Sequence, residues 1–439
     1  MKLEERLKQI RKYKITGKVI GVIGPLIEAI LPKVSIGDAC EIEDIEAEVI
    51  GFKDGKTLLM VYSDTKGIKV GSKVIAKNTF PKAQVGEYLL GKVIDAFGKP
   101  IDGSFLNCID KVNIHLEPIN PLERERINEI FDTGIRVINS LLTIGKGQRI
   151  GILAGAGVGK SSLLGMMAKF SNADINVIAL IGERGREVRE FIEDNLGKEG
   201  LKKSVVVVST SDQPPLAKIR ASILANAIAK YFADEGRDVL LMFDSLTRLA
   251  MAQREVGLTV GEPPTTKGYT PSVFSLLPKI IETSGKFQKG SITGIYTVLV
   301  EGDDISIDPV ADSAIGFLDG HIVLSRDFAN KRIFPAVDIL KSISRLTPQL
   351  VDERILNMQK VVLELESAYR EAEDMINLGI YKKGSNPKID LALDIHDEII
   401  NFIKQKLNER VNFAESLKQL ESLYTKIQNE GLRYGIRYE

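Results

Sequence analysis

The sequence predicts an α/β fold in which a parallel-sheet core is preceded by a small β-barrel and followed by a helical domain. Three observations carry this prediction. Short β-rich runs separated by turn residues fill positions 16–75, continuous Val/Ile/Leu runs alternate with helical stretches from about 150 to 345, and the composition turns helical from Gln349 onward. Many short strands avoid exposed edges by closing into a barrel, whereas strands that are apolar throughout are buried on both faces beneath helices. The expected units are an N-terminal arm (1–15), a β-barrel domain (16–90), a parallel-sheet domain with its lead-in connector (91–348) and a C-terminal helical domain (349–439).

Composition narrows the class of protein. At 439 residues the chain is long enough for two or three ordinary cores. Lysine plus arginine number 59 and aspartate plus glutamate 59, so a zero net charge gives no reason to expect a polyanion-coating protein. Cys40 and Cys108 lack metal-binding or CxxC spacing, and the three histidines (His115, His321, His396) are scattered, which argues against a zinc or histidine-based metal centre. Without an apolar run of about 18 residues or a signal peptide, a soluble, unsecreted chain is expected.

Taken in order, Met1 to Ile15 places Leu3, Leu7 and Ile10 on one helical face, with six lysines or arginines against two glutamates. It is either a basic amphipathic arm for a membrane surface or partner, or a frayed terminal helix. Strand candidates follow at Lys18–Ile23, Ala39–Ile42, Glu46–Ile50, Lys56–Val61 and Ser72–Ile75, punctuated by Gly24-Pro25, Gly37-Asp38, Asp54-Gly55 and Gly71. An oligonucleotide-binding barrel would want stacking aromatics and a basic strip; with only Phe52 and Tyr62, a structural or ring-forming role is favoured and no nucleic acid is expected. The prolines and charges of Glu117–Arg126 mark a boundary, and Phe131–Leu142 reads as a helix capped near Asp132 or Thr133.

The stretch Gly151-Ile-Leu-Ala-Gly-Ala-Gly-Val-Gly-Lys-Ser-Ser162 lies between an apolar strand-like run (Arg149–Leu153) and a segment of helical composition (Ser162–Lys169). That is the context a phosphate-binding loop, or P-loop, requires. Gly155, Gly157 and Gly159 permit the tight turn that aims backbone N–H groups at phosphate oxygens, with Ala156 and Val158 between them and the helix dipole behind. Lys160 should reach the terminal phosphates, and the Ser161 hydroxyl, next to Ser162, should ligate Mg²⁺. The strict G-x-x-x-x-G-K-[ST] pattern asks for glycine where this chain has Ala154.

Ligands of parallel sheets sit at the carboxyl ends of the strands, so the residues just past each strand matter. The further strand candidates are Asn176–Ile181, Ser204–Ser209, Asp238–Phe243, Gly294–Val300 and Gly320–Leu324. After Ile181 comes Gly182-Glu-Arg-Gly-Arg-Glu187, and directly after Phe243 comes Asp244-Ser-Leu-Thr-Arg248. Asp244 stands where an acid supports Mg²⁺, and Glu183 where a carboxylate can polarise the attacking water; each alone would also suit a helix cap or a salt bridge. Thr210–Pro215 lines the site or is a simple loop, and Gly257–Thr270 reads as a long loop facing a pore or a neighbour. Beyond Gln349, Ile355, Met358, Val362, Leu365, Tyr369, Ala372 and Ile376 form one apolar helical stripe, a turn falls at Gly379–Pro387, and further helices run to about Ile427.

With Ala154–Ser161, Gly182–Phe191, Asp244–Arg248, Gly261–Pro264 and Pro335–Asp338 in register, nearly the whole chain resembles the flagellar protein-export ATPases. That group of type III secretion ATPases is similar to the catalytic subunit of F-type ATPases, and even Ala154 fits the export-ATPase version of the loop. The resemblance implies a RecA-like P-loop core and ATP hydrolysis with Mg²⁺. It implies that Glu183 activates water, that Lys160 and Ser161 hold phosphate and metal, and that Asp244 supports the metal. Arg184 and Arg248 match arginines near the phosphates and the interface, Phe334 the aromatic under adenine, and Arg345 the arginine finger that reaches the neighbouring subunit's nucleotide. It further implies a cytoplasmic homohexamer, peripherally associated with the membrane export apparatus. Its implied partners are an ATPase regulator at the N-terminal arm, a central stalk-like protein near the C-terminal helical tips (Tyr381–Pro387), an export gate at the membrane, and export substrates with their chaperones. A virulence secretion ATPase is the alternative, ahead of a rotary ATPase subunit or an RNA-translocating ring motor.

Overall fold

The computed structural model describes residues 14–77, 81–106, 110–114, 119–300 and 308–438, so most of the expected N-terminal arm lies outside the described residues. Six strands, β1 (Ile15–Ile23), β2 (Leu26–Ile30), β3 (Ala39–Ile42), β4 (Ile45–Lys53), β5 (Lys56–Val61) and β6 (Lys73–Ala76), close into a barrel in the order β1-β2-β5-β4-β3-β6. Alternation points Val19, Ile27, Ala29, Ile42, Val49, Leu59 and Val74 inward as a separate small core. β2 is a strand that the sequence reading did not separate from the turn at Gly24-Pro25.

The barrel is locked onto the sheet domain by an arginine between two rings. The Arg220 guanidinium lies 4.9 Å from the Tyr62 ring centre and 4.7 Å from that of Phe97, and the two rings meet edge-on at 5.6 Å. β7 (Lys82–Val85) pairs antiparallel with β9 (Asp110–Asn113) beside this junction.

The central sheet combines β8 (Lys92–Ile94), β12 (Arg149–Ala154), β13 (Ile175–Ile181), β14 (Ser204–Ser209), β15 (Asp238–Asp244), β17 (Ser291–Leu299), β18 (Gly320–Leu324) and β19 (Val337–Ser344). Their order is β19-β18-β12-β17-β15-β13-β14-β8, and every neighbouring pair is parallel except β18 with β19; the short β16 (Gly285–Lys286) pairs antiparallel with β17. β13 and β14 are buried at every position, as continuous apolar runs demand. The two edge strands, β8 and β19, were not among those read from the sequence, because each mixes polar and apolar residues.

Two local expectations shift. Phe131–Leu142 is not one helix: β10 (Ile130–Phe131) pairs with β11 (Ile144–Gly145), and the helix runs only over Arg136–Leu141. Asp132 and Thr133 form a turn instead of a cap. The Asp132 carboxylate accepts from Gly134 N at 2.9 Å and Asn139 Nδ2 at 2.7 Å, and Ile135 N donates to Thr133 Oγ1 at 3.2 Å. Likewise the helix Leu246–Val260 continues through Gly257 and ends at Gly261, whose φ of 90° suits a left-handed helix stop, so the expected long loop is shorter.

The C-terminal helices Glu353–Asn377, Pro387–Ile403 and Phe413–Arg433 share one core with the phosphate-loop helix: Met358, Val362, Leu365, Ile395, Ile399 and Leu420 pack in the same cluster as Leu164 and Met167. The architecture is therefore a six-stranded barrel, a nucleotide-binding-type parallel sheet and a helical domain. Among the described residues, no helix is long and apolar enough to cross a membrane.

Candidate active site

β12 delivers the chain, fully buried at Ala154, into a loop that turns through Gly157 (φ 77°) and Gly159 (φ 91°) and enters the helix Lys160–Phe170. Both glycines occupy the left-handed region, where a Cβ is strained. Val158 is buried and pins the loop, while Ala156, Gly157 and Ser161 face solvent. The first amides of that helix have no intrahelical acceptor and point out of the same end, so an anion is the natural partner. Over this mouth lies Phe334: a Cβ on Gly159 would meet two of its ring carbons at 3.3 Å, so the aromatic packs directly on the loop. Gly155 is flanked by Arg326, whose Nη2 would lie 3.3 Å from a Cβ there.

Three charged side chains converge beside the loop. Lys160 Nζ donates to Asp244 Oδ1 and lies 3.7 Å from Glu183 Oε1, all three side chains being largely shielded from solvent. β13 and β15 are adjacent parallel strands, which is why Glu183 and Asp244, at or just past their carboxyl ends, share one lysine. Asp244 also accepts from Thr297 Oγ1 of β17 at 2.6 Å. Glu183 Oε1 is buried without a hydrogen-bond partner. Burial, followed by the Asp244 charge, pushes the Glu183 carboxyl up to about 7, and Lys160 opposes that rise. Such a carboxyl exchanges its proton near neutral pH, the property a general base needs.

Arg248 packs across Gly182, where a Cβ would meet the arginine Cβ at 2.8 Å, and its Nε is buried without a partner. Arg184 is not drawn into the cluster; its side chain is 78% exposed and lies 3.7 Å from Glu187. Ser162 is half-buried in the first helical turn. Arg345 is the outlier. β19 runs antiparallel to its neighbour, so Arg345, just past its end, lies at the opposite end of the sheet from the phosphate loop. Arg345 N donates to Asp319 O at 2.9 Å, and Asp319 N donates to Arg149 O at 2.8 Å. Arg149 begins β12, so Arg345 is separated from its own loop by the length of that strand, roughly 16 Å. Sequence reasoning missed Thr297 and Arg326. Thr297 did leave a signal, an aliphatic hydroxyl inside the largely apolar run Gly294–Val300.

Comparison with known proteins matches the chain domain by domain. Residues 134–344 match the nucleotide-binding domain of the ATP synthase alpha/beta family, residues 19–78 its β-barrel domain, and residues 351–422 the C-terminal domain of the type III secretion ATPase EscN. A protein named flagellum-specific ATP synthase from Aquifex aeolicus (strain VF5) is 52% identical over 423 residues, covering 95% of this chain and 96% of the relative. The assembled ATPase EscN from the enteropathogenic E. coli type III secretion system superposes with a TM-score of 0.88 at 42% identity, covering 93% of this chain and 100% of that one. The structure of assembled EscN in complex with its central stalk EscO matches with a TM-score of 0.86 over the same shares, also at 42% identity.

Proposed function

The chain belongs to the ATP synthase alpha/beta family, in the group of flagellum-specific ATP synthases and type III secretion ATPases, and is an ATPase; on that premise we propose that it works as a homohexameric ring whose hydrolysis energises flagellar protein export. The flagellar reading is favoured over virulence secretion by the 52% identity to a flagellum-specific relative against 42% to EscN.

In this reading Lys160 and the loop amides bind the β- and γ-phosphates, and Phe334 stacks under adenine. Glu183 takes the proton of the attacking water as the oxygen bonds to phosphorus and the ADP oxygen leaves. Mg²⁺ fits the residues present, because two shielded carboxylates face a single lysine and Glu183 Oε1 has no donor of its own. Ser161 and Asp244 would hold the ion, which when bound supplies charge neutralisation for the phosphates. Arg248 and the exposed Arg184 face the phosphates and the subunit boundary.

The observation that carries the ring is the separation of Arg345 from its own Lys160, Glu183 and Asp244 by the length of β12. If Arg345 stabilises a transferring phosphoryl group, that group must therefore belong to the next copy, where it acts in addition to the Lys160 each site has of its own. The regulator, the export gate, and the substrates with their chaperones remain the partners proposed from the family resemblance. A stalk at the Tyr381–Pro387 turn extends the EscN–EscO pairing to this chain. The test is subunit mixing: Glu183→Gln and Arg345→Ala chains, each nearly inactive, recover ATP turnover when combined. Full activity in a strictly monomeric sample, or no recovery on mixing, overturns the shared site.

A further inference from the structure

A charged clamp stands behind Arg345 at the amino ends of the parallel strands. Asp319 is gripped by Arg149 through a fork, Nε to Oδ2 at 3.0 Å and Nη2 to Oδ1 at 2.9 Å, and its Oδ2 also accepts from Arg149 N at 3.0 Å. The two backbones are joined as well, Asp319 N to Arg149 O at 2.8 Å. The free side of the Arg149 guanidinium bonds Glu282, whose other oxygen lies 3.1 Å from Arg124 Nη2. Arg124 donates in turn to Ser284 O at 2.8 Å. Gln148 Nε2 completes the frame by donating to Asp319 O at 3.3 Å and to Ser344 Oγ at 3.0 Å, and Ser344 Oγ donates to Thr143 O at 2.8 Å.

Everything in this frame converges on one peptide. Asp319 O, the acceptor for Arg345 N, belongs to the residue that Arg149 holds by four hydrogen bonds, and Ser344 immediately precedes Arg345. By contrast, no described residue forms an ion pair with the Arg345 side chain, which is exposed. Its backbone is over-determined while its guanidinium is left to project outward.

We propose that Arg149 and Asp319 are positioning residues for Arg345, and that they act on the neighbouring subunit's reaction rather than on their own. The proposal rests on the shared-site reading above. A bidentate arginine–carboxylate pair fixes both distance and orientation, which a point charge does not. The pair is also only about one-fifth exposed, so water cannot easily replace it. Preorganised cations lose much of their effect when displaced by about 1 Å, on the order of 100-fold in rate. The strand that ends in one subunit's phosphate loop is thus, at its start, the mount for the arginine offered to the next.

The experiment compares Arg149→Gln and Asp319→Asn, with Arg149→Lys as the conservative variant, in the full chain. Arg149→Gln is expected to lose roughly 10- to 100-fold in kcat, with affinity for a fluorescent ATP analogue unchanged within about twofold. Arg149→Lys should fall in between, because it keeps the charge and loses the fork. The decisive readout is mixing with Glu183→Gln, which keeps an intact Arg345 and a dead site. Arg149→Gln chains should recover turnover as Arg345→Ala chains do. Recovery with Arg345→Ala but not with Arg149→Gln overturns the proposal, since Arg149 would then be acting through its own phosphate loop. Wild-type turnover in both Arg149→Gln and Asp319→Asn also overturns it. Failure of the Arg345→Ala mixture itself removes the shared site and the proposal together. Should Arg149→Gln lower the melting temperature sharply, the isosteric Asp319→Asn is read in its place by the same mixing assay.

Discussion

Lys160 Nζ stands 3.7 Å from Glu183 Oε1 while donating to Asp244, so a single ammonium serves two largely buried carboxylates. Burial first, and then the Asp244 charge in a cluster with more negative than positive groups, makes Glu183, whose Oε1 accepts no hydrogen bond, hold its proton more tightly.

That imbalance sets the pH dependence of the reaction. With Glu183 at about 7, the base form is scarce below neutrality, so kcat/KM should climb about tenfold per pH unit up to near 7 and then level off. A steady-state profile from pH 5.5 to 9 measures it. A flat profile below pH 7 would mean that ionisation of Glu183 does not limit the rate.

The same shift has a cost in stability, with a defined sign. The folded-state value lies above the ordinary 4.5, so stability falls as pH rises from about 4.5 to 7, and the full penalty persists above 7. Glu183→Gln removes the ionisation and should stabilise the nucleotide-free protein by on the order of 2 kcal/mol at pH 8, with little effect at pH 4.5. Thermal melts of the two proteins at both pH values compare directly.

Phe334 packs on the loop glycine Gly159 and is only partly buried, which leaves a ring face for a base. Aromatic stacking on a base is worth about 1–3 kcal/mol, present equally in ground and transition states. Phe334→Ala should therefore raise KM for ATP by roughly 5- to 100-fold with kcat little changed, and Phe334→Tyr should behave as wild type. A fall in kcat at unchanged KM would contradict stacking.

Thr297 donates to Asp244 from the middle of a buried strand. Thr297→Val keeps the shape but leaves the carboxylate one donor short, at a cost of about 1–3 kcal/mol in urea unfolding. Thr297→Ser keeps the donor and should lose less. Equal losses in the two variants would assign the effect to packing.

Arg370 ties the helical domain to the sheet strand that follows Phe334. Its Nη1 reaches both Asp338 oxygens at 2.9 Å and its Nε reaches Glu366 at 3.2 Å, while the Glu366 side chain, 1% exposed, also meets His396 Nδ1 at 3.1 Å. Arg370→Ala removes the guanidinium shared by two buried acids, leaving Asp338 its backbone donors and Glu366 its His396 contact, and should destabilise the protein by about 3 kcal/mol, seen as a lowered melting midpoint. A change below about 1 kcal/mol would show that water replaces the guanidinium.

The sequence alone determined what is local. Apolar runs of uniform burial declared the six inner parallel strands, periodicity declared the long helix Glu353–Asn377, and Gly155 to Ser161 declared a phosphate site, because backbone conformation and helix termini are properties of neighbouring residues. Edge strands β8 and β19 escaped, since a strand covered on one side only leaves no continuous pattern. Only the tertiary structure decided which charges meet. The adjacency of β13 and β15 puts Glu183 and Asp244 on one lysine, and Thr297 joins them from β17, although 53 residues separate it from Asp244. The antiparallel turn of β19 carries Arg345 to the far end of the sheet and seats it on Asp319 and Arg149. Strand order is settled by long-range pairing, which no stretch of sequence encodes by itself, and it is strand order that separates the arginine from its own subunit's catalytic carboxylates.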